Sequence, residues 1–204
     1  MALDLYLVRH GGTAWTLTGQ HTGRTDLPLL PEGEEQARRL AGVLSPIDFG
    51  AVYSSDMQRS LRTAQLAGFD QPRVTPLLRE FDYGEYEGLT SAEIWAKRPG
   101  WQIYVDGCPG GETPAEVYSR ARTFLGELAG LEGAAIAFSH GHFLRALAVA
   151  WVSFEIGAAA CLALDTATVS VLREGERGQV IQLWNWTTGA VPSGDHLQLR
   201  LPRN

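Results

Sequence analysis

The chain has 204 residues, 45% of them apolar, which suits one globular domain with a substantial core. Its net charge of −6, without any Lys/Arg-rich run, excludes an electrostatic nucleic-acid footprint, and no apolar stretch approaches the ~20 residues that span a bilayer. Cys108 and Cys161 form no C-x-x-C pair, so no disulfide framework is implied; with no cationic leader before the first apolar run, a reducing, cytoplasmic setting is expected.

Apolar, β-rich runs at 3–8, 51–54, 134–138, 167–172 and 179–184 predict strands, and segments of helical period lie between them. Ala37, Leu40, Ala41 and Leu44 share one face of a helix over 32–44, with Pro31 suited to its first position. A helix over 56–67 follows Ser55, an N-cap candidate with Gln58 three places on. One over 91–98 follows Thr90, with Glu93 in the reciprocal position. Thr113, Pro114 and Glu116 open a helix over 114–130, and 142–153 form the last long one. The final two runs, joined by Glu-Gly-Glu-Arg-Gly, read as a hairpin.

Strands alternating with helices predict an α/β protein. The expected form is a three-layer α/β/α sandwich on a mainly parallel sheet, with an antiparallel edge from the hairpin. The expected organisation is a single domain over 1–187, a small lid-like segment at about 88–112, and an extended tail over 188–204.

Two strands end alike. Leu-Tyr-Leu-Val-Arg-His-Gly at 5–11 and Ala-Ala-Ile-Ala-Phe-Ser-His-Gly at 134–141 each deliver a histidine, then a glycine, to a strand's carboxyl end. Ligands of open α/β sheets bind outside those ends, so His10 and His140 can meet in one pocket. A neutral imidazole is a competent nucleophile, and arginine forks match phosphate oxygens. Arg9 adjoins His10. Arg59 falls in the first turn of a helix after a strand, where free N–H groups also favour phosphate. Arg62 lies one turn on; taken alone both arginines read as a solvated helix face, but beside His10 they read as phosphate ligands. An acid is needed to protonate the departing oxygen. Glu80, beside such a pocket, is the candidate, with Asp82, Glu85 and Glu87 as rivals on spacing alone.

Several motifs together carry a resemblance. Arg-His-Gly follows a strand; Ser-x-x-x-x-Arg is followed by Thr-Ala; Leu-x-Glu precedes Tyr-Gly-x-x-Glu-Gly; Gly-Gly-Glu-Thr precedes a helix; and Ser-His-Gly closes the series. In this order, over about 3–172, they resemble the histidine phosphatase superfamily, the phosphoglycerate mutase-like clan. The stretches 19–29 and 82–89 look most like small bacterial acid phosphatases and sedoheptulose-1,7-bisphosphatase-like phosphatases. The resemblance implies that His10 is phosphorylated during turnover, that Arg9, Arg59 and His140 complete the phosphate pocket, and that Glu80 is the general acid and base. It implies substrate contacts at Thr22, Gly23 and Tyr83; beside His140, Gly141 is a further substrate-binding candidate, and His142 lines the pocket or caps the helix start. It also implies no metal or other cofactor, since arginines and a charged histidine supply the positive field, and a small phosphorylated metabolite, a phosphosugar first, as partner.

Three positions depart from the family pattern. Gly12 stands where Glu or Gln is usual, Thr16 follows Trp15 in place of Asn, and Leu30 replaces a Ser or Thr cap at a cost of ~1 kcal/mol. Phosphoglycerate mutase-type transfer is an alternative, but the short segment between Gly88 and Gly111 has no Arg-Arg pair. A non-catalytic phosphate-binding module is another, encouraged only by Gly12. A metal centre built on His140-Gly-His142, with His21 and Asp26, is a third and lacks a strong ligand pattern. The oligomeric state is left open, a homodimer among the options; His196 in the tail has no role.

Overall fold

The chain alternates strands and helices in the computed structural model, which describes residues 2–176 and 178–187. Six strands form one sheet in the order β3-β2-β4-β1-β5-β6. β1 (Leu3–Arg9), β2 (Phe49–Ser54), β3 (Arg73–Val74) and β4 (Gly133–Ser139) run parallel; β5 (Val169–Gly175) and β6 (Gly178–Trp186) make the antiparallel edge. The α/β/α sandwich with its hairpin edge is as expected.

Period-two side chains divide the core between the sheet's faces. Leu3, Leu5 and Leu7 of β1, with Ala135 and Ala137 of β4, join α6 (Pro114–Glu127) and α7 (Gly141–Trp151) on one face. Tyr6, Val8, Ile136 and Phe138 join α2 (Pro31–Leu44) and α3 (Gln58–Leu66) on the other. α7 is apolar almost all round, with Phe143, Leu144, Ala146 and Leu147 fully buried, as a core helix requires.

Register places the site. Arg9 of β1 pairs with Ser139 of β4, and the His10 N–H donates to the Ser139 carbonyl at 3.0 Å. On the other side of β4, the Ser55 N–H donates to the Phe138 carbonyl at 3.0 Å. Three strand ends thus bring His10, His140 and Ser55 to one edge.

Several local expectations change. α3 starts at Gln58 with Met57 as its N-cap and no side-chain bond; Ser55 Oγ accepts from the Met57 N–H at 3.3 Å instead, outside the helix. α6 ends at Glu127. α1 (Ala14–Thr18), capped by a Thr13/Thr16 box, has no hydrophobic stripe to announce it, and β3 is only two exposed residues long. α4 (Ser91–Lys97) keeps its Thr90/Glu93 box, and a short helix, α5 (Ile103–Asp106), follows. Within 88–112, Ile94, Trp101, Ile103 and Tyr104 are buried in the same cluster as the sheet face. Among the described residues no helix is long and apolar enough to cross a membrane. The tail expected over 188–204, with His196, lies outside the described residues.

Candidate active site

The rings of His10 and His140 lie 5.1 Å apart, centroid to centroid, where β1 and β4 end. A carbonyl only accepts, so the 2.8 Å contact of His10 Nδ1 with the Gly11 carbonyl is an N–H donation. The lone pair then lies on Nε2. Burial pushes the His10 imidazole well below its usual titration range; Arg59 and Arg9 push the same way, and the Gly11 bond opposes them. The ring is therefore neutral and nucleophilic.

His140 is equally constrained. Arg59 Nε donates to its Nδ1 at 3.1 Å, which leaves the Nε2 hydrogen for Ser55 Oγ at 2.9 Å. Arg59 is always a donor, so a second proton on Nδ1 would face an N–H group. Burial, and then Arg59, hold His140 well below the ordinary range. The charged histidine expected from sequence is a neutral one here, because a guanidinium already occupies its acceptor side.

Arg59 is fully buried. Its Nη1 donates to the Thr25 carbonyl at 2.9 Å, and its Nη2 to those of Thr22 and Gly23 at 3.1 Å each. The 22–25 loop is thus bound to the same cation that flanks His10. Glu87 grips the loop from outside: its carboxylate accepts from Gly23 N at 3.0 Å and Thr25 N at 2.9 Å. Arg9 donates through Nη1 to the Leu164 carbonyl at 2.5 Å, and its guanidinium lies across Gly141, where a Cβ would sit 3.2 Å from Cζ. Its Nε is buried without a hydrogen-bond partner among the described residues.

Glu80 faces this group across a cavity. Its Oε1 accepts from the N–H groups of Phe81 and Phe143 at 2.8 Å each, and its Oε2 from His142 N at 3.0 Å. Two of those donors belong to the first turn of α7. The cavity, ≈ 190 Å³, is lined by Arg9, His10, Thr22, Glu80 and Gly141, with Gln20, His21, Tyr83, Ser91, His142 and Arg145 among the rest of the lining, its rim. Tyr83 and His142 meet at 2.6 Å, hydroxyl to Nδ1. Burial raises the Tyr83 hydroxyl and lowers the His142 ring, so the tyrosine donates. His21 donates through Nδ1 to the Leu89 carbonyl at 2.7 Å and stacks on His142.

Of the residues expected from sequence, seven line this cavity. Arg59 and His140 stand directly behind His10, and Gly23 lies in the loop that Arg59 holds. Arg62 is apart, bonded to Glu34 on the surface at 2.8 Å. Asp82 pairs with Arg24, Glu85 is exposed, and Glu87 serves the loop. Both nitrogens of His140 are engaged, and the described residues contain no group of His, Cys, Asp and Glu that could hold a metal. The sequence reads Ser55 only as a helix cap and gives Arg145 no role. A charge inside the apolar run 143–154 was the available signal for Arg145, whose guanidinium lies over the Tyr104 ring at 5.1 Å.

A model of the histidine phosphatase superfamily (branch 1) matches residues 5–187. An acid phosphatase of Mycobacterium tuberculosis is 41% identical over 172 residues, covering 82% of this chain and 84% of that protein. Sedoheptulose 1,7-bisphosphatase of Saccharomyces cerevisiae is 34% identical over 183 residues, covering 74% of this chain and 68% of that protein. Among solved structures, an open reading frame product of Mycobacterium tuberculosis is similar with a TM-score of 0.88 at 35% identity, over 91% of this chain and 98% of the other.

Proposed function

This chain belongs to the histidine phosphatase superfamily and is a phosphatase, and from that premise we propose how it works and on what. It hydrolyses small phosphomonoesters in two steps through a phosphohistidine on His10. The carrying observation is the free lone pair of His10 Nε2, on a neutral ring between two guanidinium groups, opposite a carboxylate.

In the first step Nε2 attacks phosphorus, and the P–O bond to the leaving group breaks. The Nδ1–H already donated to Gly11 supports the positive charge that the ring acquires. Arg9 brings an uncommitted Nε–H, and Arg59 supplies a fixed charge at short range. The departing oxygen takes a proton from Glu80. A carboxylate has four lone-pair sites, and backbone N–H groups occupy three. The fourth, on Oε2, carries that proton. In the second step the same site accepts a proton from water as its oxygen attacks phosphorus. The P–N bond breaks, and inorganic phosphate leaves. No metal or cofactor takes part in either step.

The leaving group rests against His21, Tyr83 and His142, with Gln20 and Ser91 beside them. Neutral rings and polar groups suit a hydroxyl-bearing moiety, which favours phosphosugars; the bisphosphatase similarity points the same way. Cys108 and Cys161 are both free thiols, in keeping with a cytoplasmic place of work.

The test is turnover of p-nitrophenyl phosphate at mildly acidic pH, with intact-mass detection of an acid-labile phosphoryl adduct. Wild type is expected to turn over and to carry the adduct on His10, and His10→Ala to do neither. An active His10→Ala protein overturns the reading.

A further inference from the structure

We infer that Arg120 is a positioning residue for the acid step: it fixes the Glu80 carboxyl by holding both structures that support it. The inference rests on the proposed role of Glu80.

Arg120 lies on α6, away from the cavity. A guanidinium has five N–H donors, and here all five are used. Nε donates to Glu112 Oε1 at 2.8 Å. Nη1 donates to the carbonyls of Leu77 and Arg79 at 2.9 and 2.7 Å. Nη2 donates to the Glu80 carbonyl at 3.2 Å and to Glu112 Oε2 at 2.8 Å. One cation therefore gathers three carbonyls of the segment that carries Glu80. Its partner Glu112 secures the next residue but one: Glu112 N donates to the Asp82 carbonyl at 2.9 Å, and Asp82 N donates to Glu112 Oε2 at 2.9 Å.

The second support is α7. The Arg120 guanidinium lies 4.4 Å from the centroid of the fully buried Phe143 ring. Phe143 N–H is one of the three donors that orient the Glu80 carboxylate. The main chain of Glu80 and the helix turn that receives its side chain are thus referenced to the same planar group. Five donors in a fixed fork match this set; the three rotatable hydrogens of lysine do not. The placement also accounts for the Gly-Gly-Glu-Thr motif, whose glutamate supplies the anionic half of the clamp.

The reading predicts a defect that depends on the leaving group. A p-nitrophenolate departs without protonation, whereas an alkoxide needs the proton from Glu80. For Arg120→Lys, kcat/KM toward β-glycerophosphate is expected to fall about 10²-fold, the effect of a misplaced catalytic group. Toward p-nitrophenyl phosphate it is expected to stay within about threefold. Glu112→Gln, a milder change to the same clamp, should show the same selectivity at smaller size and serves if Arg120→Lys does not fold. Glu80→Gln is the reference and should discriminate between the two esters most strongly. Equal losses on both esters in the folded Arg120→Lys and Glu112→Gln proteins, or none, overturn the inference while the Glu80 reference still discriminates. Loss of discrimination in Glu80→Gln removes the acid role and the inference with it.

Discussion

The floor of the cavity and its rim use the same residue type for different ends. His10 lies on the floor with His140 directly behind it; His21 and His142 form part of the rim. Burial lowers the titration range of all four, so burial does not distinguish them. Their neighbours do. The floor rings have guanidinium groups beside them and sit on strand ends held by parallel ladders. The rim rings have aromatic neighbours, Tyr83 and Trp101, with Arg145 acting on His142 as well, and sit on loops and a helix start. In the proposed mechanism the phosphoryl group goes to His10, whose Nε2 is free and whose ring has Arg9 and Arg59 beside it; the rim rings, engaged with Leu89 and Tyr83, shape the surface next to it.

Removing the cation should break the comparison most severely. Arg59→Met leaves the carbonyls of Thr22, Gly23 and Thr25 without their donor and removes the partner of His140. The expected loss in kcat/KM is about 10²–10³, as for a lost oxyanion donor. Stability should fall by about 1–3 kcal/mol for each buried carbonyl left unsatisfied. Kinetics on p-nitrophenyl phosphate with denaturant titration reads both. A rim variant that matches the kinetic loss would erase the distinction between floor and rim.

Acid should act on floor and rim alike until an anion is added. His10, His140 and His142 are neutral when folded, while an unfolded histidine protonates near pH 6.5. Below that pH the unfolded chain binds more protons, so stability falls as pH drops from ~6.5, with a slope of up to about 1.4 kcal/mol per pH unit for each histidine. The pH dependence of the unfolding midpoint measures this. Saturating inorganic phosphate should raise the His10 titration and leave that of His142 in place, as ring proton shifts would report. Equal movement of both would mean that the rim senses the anion as strongly as the floor.

On the rim, Tyr83→Phe takes away the donor to His142 Nδ1. The cost should be about 1–3 kcal/mol in stability. Relative kcat/KM across a panel of phosphomonoesters should change, while the phosphoryl adduct still forms on His10. Loss of the adduct would move Tyr83 from the rim to the machinery.

The floor was legible in the sequence because strands announce themselves by apolar runs and parallel pairing fixes where they end. His10 and His140 follow from two such runs, and a register that aligns Arg9 with Ser139 does the rest. The rim was legible only as a set of residues. His21, Tyr83 and His142 are carried by separate loops and a helix start, and their convergence depends on tertiary packing that no local period records. The neutral state of His140 was also hidden: it depends on Arg59 Nε pointing at Nδ1, a distance between residues 81 positions apart. Ser55 looked like a helix cap because Ser followed by Gln has that spacing. The helix starts later, and the hydroxyl serves His140 instead.

The smallest effect is expected at Gly12, two residues past His10 and outside the lining of the cavity. Its neighbour Gly11 has no room: a Cβ there would meet the Gly33 carbonyl oxygen at 2.3 Å, backbone against backbone. Gly12 is different. A Cβ would find Gln36 Oε1 at 3.5 Å and Thr16 Oγ1 at 3.9 Å, ordinary contacts. The Gly12 N–H donates to that same Gln36 Oε1 at 3.0 Å, a bond that alanine retains. Gly12→Ala should therefore stabilise the fold by about 0.4–1 kcal/mol through the unfolded chain. With the His10 ring and both arginines untouched, kcat/KM should stay within about threefold, since only losses near 1.4 kcal/mol reach tenfold. A drop beyond tenfold, with the melting temperature raised, would show that the missing side chain matters to the chemistry, and would extend the floor one residue past Gly11.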